Sequence, residues 1–179
     1  MKTRMSLPQA QRLAEKIVTE IRPFCERVEI AGSIRRRKPT VGDIEIVCIP
    51  RHQPDLFGDP GESLLDIKLL ELLKEGRLSK GRKNGDKQKE FIVPSGGCQL
   101  DLFITSPDCW PVIFTVRTGS EDFTKRLVTQ KNKGGLLPSN LHVDEGRVWK
   151  TDEGTPLALK EEADLLALCG GWVEPWERI

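Results

Sequence analysis

Between residues 43 and 49 the chain reads Asp-Ile-Glu-Ile-Val-Cys-Ile, an alternation that suits an extended strand with two unlike faces. Ile44, Ile46 and Cys48 fall on one face, and Asp43, Glu45 and Val47 on the other. A second run, residues 98–104, carries Asp101 between Leu100 and Leu102, where a carboxylate is expensive to desolvate unless its charge is compensated. If the two strands are neighbours, Asp43, Glu45 and Asp101 converge. Divalent cations are the natural remedy for such a self-repelling cluster, and magnesium favours hard oxygen ligands shared with substrate phosphates.

The rest of the chain supplies elements to frame these strands. Apolar residues at helical spacing over residues 8–26 predict a helix capped by Ser6 and ended by Pro23. A short strand over 28–30 runs into Gly32-Ser33, and a loop rich in Pro, Gly and Asp over 50–61 leads to a helix over 63–74. Residues 80–89 form a turn-rich basic connection, followed by strands over 90–93 and 98–104. After Pro107 the pattern changes: two short helices over 110–117 and 121–130, a hairpin pairing 136–141 with 147–150, and a last helix over 160–168. The boundary is drawn at Asp108, giving domains over 1–108 and 109–179.

Composition narrows the class. With 37% hydrophobic and 31% charged residues over 179 positions, the chain is neither disordered nor membranous. No apolar run approaches the roughly 20 residues of a spanning helix, and the amino end lacks a signal-peptide core. Five cysteines without a CxxC pair are expected as reduced thiols in a cytoplasmic protein. The net charge of +1 conceals an asymmetry: residues 68–89 hold eight basic and three acidic side chains, while 152–179 hold seven acidic and two basic ones.

The loop before the first carboxylate strand adds a second chemistry. Gly32 and Ser33 end a strand, Arg35 and Arg36 follow, and Gly42 abuts Asp43. Glycines let backbone N–H groups approach a phosphate, and Ser and Arg supply charge-assisted donors to it. A phosphate cradle beside a metal-binding pair resembles the family X DNA polymerase signature, here Gly32-Ser33-Ile34-Arg35-Arg36, five residues, then Gly42-Asp43-Ile44-Glu45. In order along the chain, Gln99-Leu100-Asp101 is similar to the family's third carboxylate, and Thr118-Gly119-Ser120-Glu121-Asp122-Phe123 to its T-G-S-x-x-F turn. Lys133-Gly134-Gly135-Leu136 and Pro175-Trp176-Glu177-Arg178 are similar to later landmarks. Gln99 stands where the family carries an arginine, Glu45 where it usually has Asp, and Val116-Arg117 where it has an aromatic pair that helps exclude the ribose 2′-hydroxyl.

The resemblance implies an α/β (α+β) nucleotidyltransferase palm, with a mixed β-sheet and flanking helices, plus a small α+β thumb. The resemblance covers only the family's palm and thumb, so its lyase activity is not expected. It implies two magnesium ions (or manganese as substitute) on Asp43, Glu45 and Asp101. Gly32, Ser33, Arg36 and Gly42 would bind the nucleotide's β- and γ-phosphates, Thr118, Gly119 and Glu121 would line its sugar and base, and Lys125 and Arg126 would face DNA. The expected activity is short-gap DNA synthesis by a monomer acting on primer-template or gapped DNA with dNTP, with NTP insertion eased by the missing aromatic pair. The rivals are a template-independent or non-DNA nucleotidyltransferase and a non-catalytic nucleic-acid-binding module; the three carboxylates count against the latter.

Overall fold

The computed structural model describes residues 4–54 and 60–179. The chain forms two units. Residues through Ile34 together with Lys38–Thr105 make the first, and Arg35–Arg37 with Ser106–Ile179 make the second. The junction lies three residues before Asp108, and a three-residue excursion at Arg35–Arg37 belongs with the later part of the chain.

The first unit is a mixed α+β assembly. Its elements are β1 (Met5–Ser6), α1 (Leu7–Ile21), β2 (Cys25–Ile30), the single turn α2 (Gly32–Arg35), β3 (Thr40–Val41), β4 (Asp43–Pro50), β5 (His52–Pro54), β6 (Pro60–Ser63), α3 (Leu64–Lys74), β7 (Ser79–Asn84), β8 (Gln88–Val93) and β9 (Cys98–Ile104). α1 starts where Ser6 predicts it, with Gln9 Oε1 accepting from the Ser6 N–H at 3.3 Å. It stops at Ile21, before Pro23. Ser63 caps α3, its Oγ accepting from the Asp66 N–H at 3.2 Å.

Five strands build the main sheet in the order β2-β4-β9-β8-β7, with β4 and β9 parallel and the other pairs antiparallel. Ile44, Ile46, Cys48, Leu100, Leu102, Phe91 and Val93 form one core with Ala10, Ala14, Ile17 and Ile21 of α1 and Leu65, Leu69 and Leu72 of α3. Two expectations need correction. Residues 79–84 are a strand, not part of a basic connection, and the turn shrinks to the residues between Asn84 and Gln88. The expected loop over 50–61 contains the β5–β6 pair; its centre, 55–59, lies outside the described residues.

The second unit comprises α4 (Trp110–Thr118), α5 (Glu121–Val128), β10 (Leu141–Asp144), β11 (Arg147–Lys150), β12 (Thr155–Pro156) and α6 (Glu162–Leu168). The hairpin turns at Asp144-Glu145-Gly146 as expected, but its first strand begins at Leu141. Leu137, placed in that strand by its apolar neighbours, instead bridges to Gln130 and is fully buried with Phe123, Leu127 and Leu165. Trp110 and Phe114 stack at 4.9 Å between centroids, and both are buried.

This small unit also buries charge. Glu162, 4% exposed, accepts from Arg35 Nη1 and Nη2 at 2.9 and 2.6 Å, and from Arg178 Nη1 at 2.7 Å. Arg178 is completely buried; its Nε and Nη2 donate to the Val173 carbonyl at 3.0 and 2.9 Å. Burial alone would raise the Glu162 pKa, but the hydrogen bonds and charges of the two arginines outweigh it and hold the carboxyl below its ordinary value.

A depressed carboxyl stabilises the folded state above its unfolded pKa, about 4.3, and that contribution disappears as pH falls through the folded value. Glu162→Ala leaves Arg178 buried without its counter-ion and should cost about 3–5 kcal/mol. All four tryptophans lie in this unit, so urea unfolding followed by tryptophan fluorescence reports on it. Between pH 6 and 3 the wild type should lose stability, and Glu162→Gln should lose less.

Candidate active site

The register of the parallel pair decides where the carboxylates lie. Asp43 sits opposite Gln99 and Glu45 opposite Asp101, so all four side chains leave the same face of the sheet. β8 extends the row, because Glu90 is the partner of Asp101 on the other side and Gln88 follows the same alternation. This face is opposite the one that α1 and α3 cover. Asp43, Glu45 and Asp101 are thus consecutive positions on one face of two adjacent strands.

Asp101, 8% exposed, is held by two amides. Gln99 Nε2 donates to its Oδ2 at 2.8 Å, and Gln88 Nε2 donates to its Oδ1 at 3.1 Å. Gln99 therefore orients Asp101 as a neutral donor, although it lacks an arginine's charge. Gln88 carries no signal in the sequence, because its role depends on β8 lying beside β9. Each Asp101 oxygen accepts one of these bonds and retains a second lone pair.

The Glu45 carboxylate lies against Gly32. A Cβ at position 32 would collide with Glu45 Oε2 and come within 2.6 Å of its carboxyl carbon. The Ala31 N–H donates to the Glu45 carbonyl at 2.8 Å, pinning the glycine turn to β4. Ser33 Oγ is buried without a hydrogen-bond partner among the described residues, and the Ser33 carbonyl accepts from the Lys38 N–H at 3.0 Å. Gly42 has open space where a side chain would begin.

The remaining expected residues belong to the second unit. Arg36 Nη1 donates to the carbonyls of Thr118 and Gly119 at 2.5 and 2.7 Å. Thr118 is fully buried, and its Oγ1 accepts from Arg35 Nη1 at 2.7 Å. A Cβ at Gly119 would come within 2.8 Å of Phe123 and 2.9 Å of Thr124, and Ser120 Oγ caps α5 by accepting from the Phe123 N–H at 3.1 Å. The Thr-Gly-Ser turn therefore has a structural reason at each position. Glu121 and Lys125 form an ion pair at 2.7 Å on the exposed side of α5, which lowers the pKa of the glutamate and raises that of the lysine. Arg126 is exposed one residue on.

Among the described residues, no group of three His, Cys, Asp or Glu side chains is gathered closely enough to hold a metal ion. The Asp101 carboxylate is directed by its amides, and that of Glu45 lies over Gly32. The donor chemistry nevertheless fits magnesium: hard carboxylate oxygens at neighbouring register positions, of the kind it combines with substrate phosphates and water. No family model and no curated protein matches the chain.

Gly32 and Gly42 make a direct comparison. Gly32 has φ +59°, a backbone conformation costing an alanine about 1–2 kcal/mol before any collision. Gly32→Ala should therefore destabilise the first unit by more than this and displace Glu45, whereas Gly42→Ala should stay within about 0.5 kcal/mol of wild type. Urea unfolding followed by far-ultraviolet circular dichroism distinguishes the two.

Proposed function

We propose that the chain is a metal-dependent nucleotidyltransferase of the family X DNA polymerase kind, adding nucleotides to a primer 3′-hydroxyl on primer-template or gapped DNA. The observation that carries this reading is the pairing of Glu45 with Asp101 across two parallel strands, with Asp43 two residues earlier on the same face. The ordered resemblance of the surrounding motifs selects nucleotidyl transfer among the reactions a carboxylate trio can support.

Asp43, Glu45 and Asp101 would hold two divalent ions. When bound, these would acidify the hydroxyl and neutralise charge developing on the triphosphate. Asp101 keeps one lone pair on each carboxylate oxygen after accepting from Gln88 and Gln99, and it would receive the 3′-hydroxyl proton. The hydroxyl oxygen then bonds to the α-phosphorus as the bond to the bridging oxygen breaks, and pyrophosphate leaves. Ser33 Oγ and the Gly32 turn would contact the outer phosphates. Arg36 would have to exchange its carbonyl acceptors on Thr118 and Gly119 for phosphate oxygens, a trade of neutral acceptors for charged ones that a triphosphate favours. Thr118 would act through Arg35 as a fixed point of the turn.

Asp101→Asn retains the shape of the side chain and removes its charge and proton affinity. Primer extension on gapped DNA with magnesium and a dNTP should fall at least about a thousandfold, equivalent to about 4 kcal/mol of transition-state stabilisation. Circular dichroism should remain unchanged. Extension within tenfold of wild type would remove Asp101 from the chemistry.

A further inference from the structure

The five cysteines are free thiols, and two of them meet inside the first unit. Val28 is the register partner of Cys48, and Cys25 that of Pro50, two residues further along β4. By strict alternation from Val28, Cys25 would face away from α1. The pairing breaks between Cys25 and Arg27, where β2 carries Glu26 as an extra residue, and this bulge turns Cys25 back. Cys25 and Cys48 therefore share one core with Ala10, Ile17 and Ile21 of α1, and their thiols are hydrogen-bonded to each other.

The pair is chemically unequal. The hydrogen bond from Cys48 lowers the Cys25 pKa against the effect of burial, and the charges of Arg51 and Arg22 add to it. The same bond, together with burial, pushes the Cys48 thiol well up. Cys25 is thus the thiol that ionises, and Cys48 the one that keeps its proton. Cys25 is also the one nearer to solvent. It is the first residue of β2, the terminal strand of the main sheet, and it follows a single 3₁₀ turn over Arg22–Phe24. The end of an edge strand opens locally at lower cost than the sheet interior. Arg22 and Arg51, both exposed, flank this end, and Arg51 Nε donates to the Cys25 carbonyl at 3.0 Å.

We propose that Cys25 and Cys48 are an oxidation site, converted by hydrogen peroxide into an intramolecular disulfide that ties β2 to β4. The Cys25 thiolate attacks one peroxide oxygen. The S–O bond forms, the O–O bond breaks, and the departing hydroxide takes up the proton that Cys25 released. The Cys48 sulfur then attacks the sulfur of this sulfenic acid. The S–S bond forms, the S–O bond breaks, and hydroxide leaves with the Cys48 proton as water. Both thiols are oxidised, and one peroxide is reduced to two waters. The loop closed in this way contains Gly32, Ser33, Gly42, Asp43 and Glu45. Oxidation therefore fastens both ends of the segment that carries the glycine turn and two of the three carboxylates. The proposal does not depend on what those carboxylates do.

The test is mass spectrometry of the whole reduced chain after treatment with a small excess of hydrogen peroxide, alkylation with N-ethylmaleimide in denaturant, and digestion without reductant. Tryptic peptides carrying Cys25 and Cys48 should appear linked to each other and separate on adding dithiothreitol. Dimedone should label Cys25 in peroxide-treated Cys48→Ala, whereas Cys48 in Cys25→Ala should remain a thiol. The wild-type peptides decide the matter even where a variant fails to fold. The oxidised chain should also melt at least about 4 °C above the reduced one by far-ultraviolet circular dichroism, because a cross-link constrains the unfolded state. Recovery of Cys25 and Cys48 as maleimide adducts while the partly exposed Cys109 is oxidised would overturn the proposal. So would Cys25 oxidised to sulfinic acid beside an unmodified Cys48, or a linked chain whose melting temperature is unchanged.

Discussion

The first unit is organised by one constraint: β4 and β9 run parallel. A parallel pair cannot be closed by a tight turn, so the chain leaving Pro50 must cross back before Cys98 can begin alongside Asp43. It spends that crossing on α3 and the β7–β8 hairpin, which cover one face of the sheet and extend its edge. Register then fixes the chemistry, because side chains alternate with a period of two. A slip of β4 by one residue would turn Asp43 and Glu45 toward the leucine core and bring Ile44 and Ile46 to the opposite face. The burial of Ile44, Ile46, Leu100 and Leu102 therefore holds the carboxylates in line more firmly than any contact among the carboxylates themselves.

The arginine run shows how a local charge pattern is reinterpreted by tertiary structure. Within the sequence, Arg35-Arg36-Arg37-Lys38 is an unbroken basic run, from which Arg36 is expected to meet a nucleotide's phosphates. In the folded second unit Arg35 bonds to Glu162 and Thr118, Arg36 to the carbonyls of Thr118 and Gly119, and Arg37 stacks over the Trp176 ring at 3.7 Å. Arg37 has φ +56°, a left-handed conformation that costs about 1–2 kcal/mol for a residue with a Cβ. A cation–π contact at a partly exposed tryptophan offsets about 0.5–1 kcal/mol of that. The remainder falls to the flanking contacts: Arg35 is anchored on Glu162, which it shares with Arg178, and Arg36 on the carbonyls of Thr118 and Gly119. Trp172 and Trp176 are 50% and 42% exposed, while Arg178 is completely buried and bonded to Glu162.

What was legible in the sequence was whatever a local period or cap encodes. α1 followed from apolar spacing and its serine cap, β4 from alternation around its carboxylates, and α3 and β9 from the turn-rich segments that precede them. β7 was not legible, because Ser-Lys-Gly-Arg-Lys-Asn is an exposed edge strand whose pairing with β8 has no apolar signature. The start of β10 was misjudged because Leu136 and Leu137 are as apolar as a strand, yet their burial comes from packing under α5 and α6. Neither Gln88 nor Glu162 carried any signal, since each acquires its role from a partner 13 to 127 residues away. Long-range pairs of polar residues have no periodicity to betray them.

The amide pair around Asp101 has a consequence of its own. A guanidinium at position 99 would orient the carboxylate and also supply a compensating charge. Gln88 and Gln99 orient it and supply none, since an amide dipole satisfies a lone pair without neutralising an ion. A carboxylate 8% exposed in such surroundings retains a demand for positive charge that its two donors do not meet. The neighbouring register positions are Glu45 and Glu90, which sharpen that demand. Glutamine at position 99 thus leaves the Asp101 charge uncompensated by its hydrogen-bond donors, while the two amides hold both of its oxygens in a defined orientation.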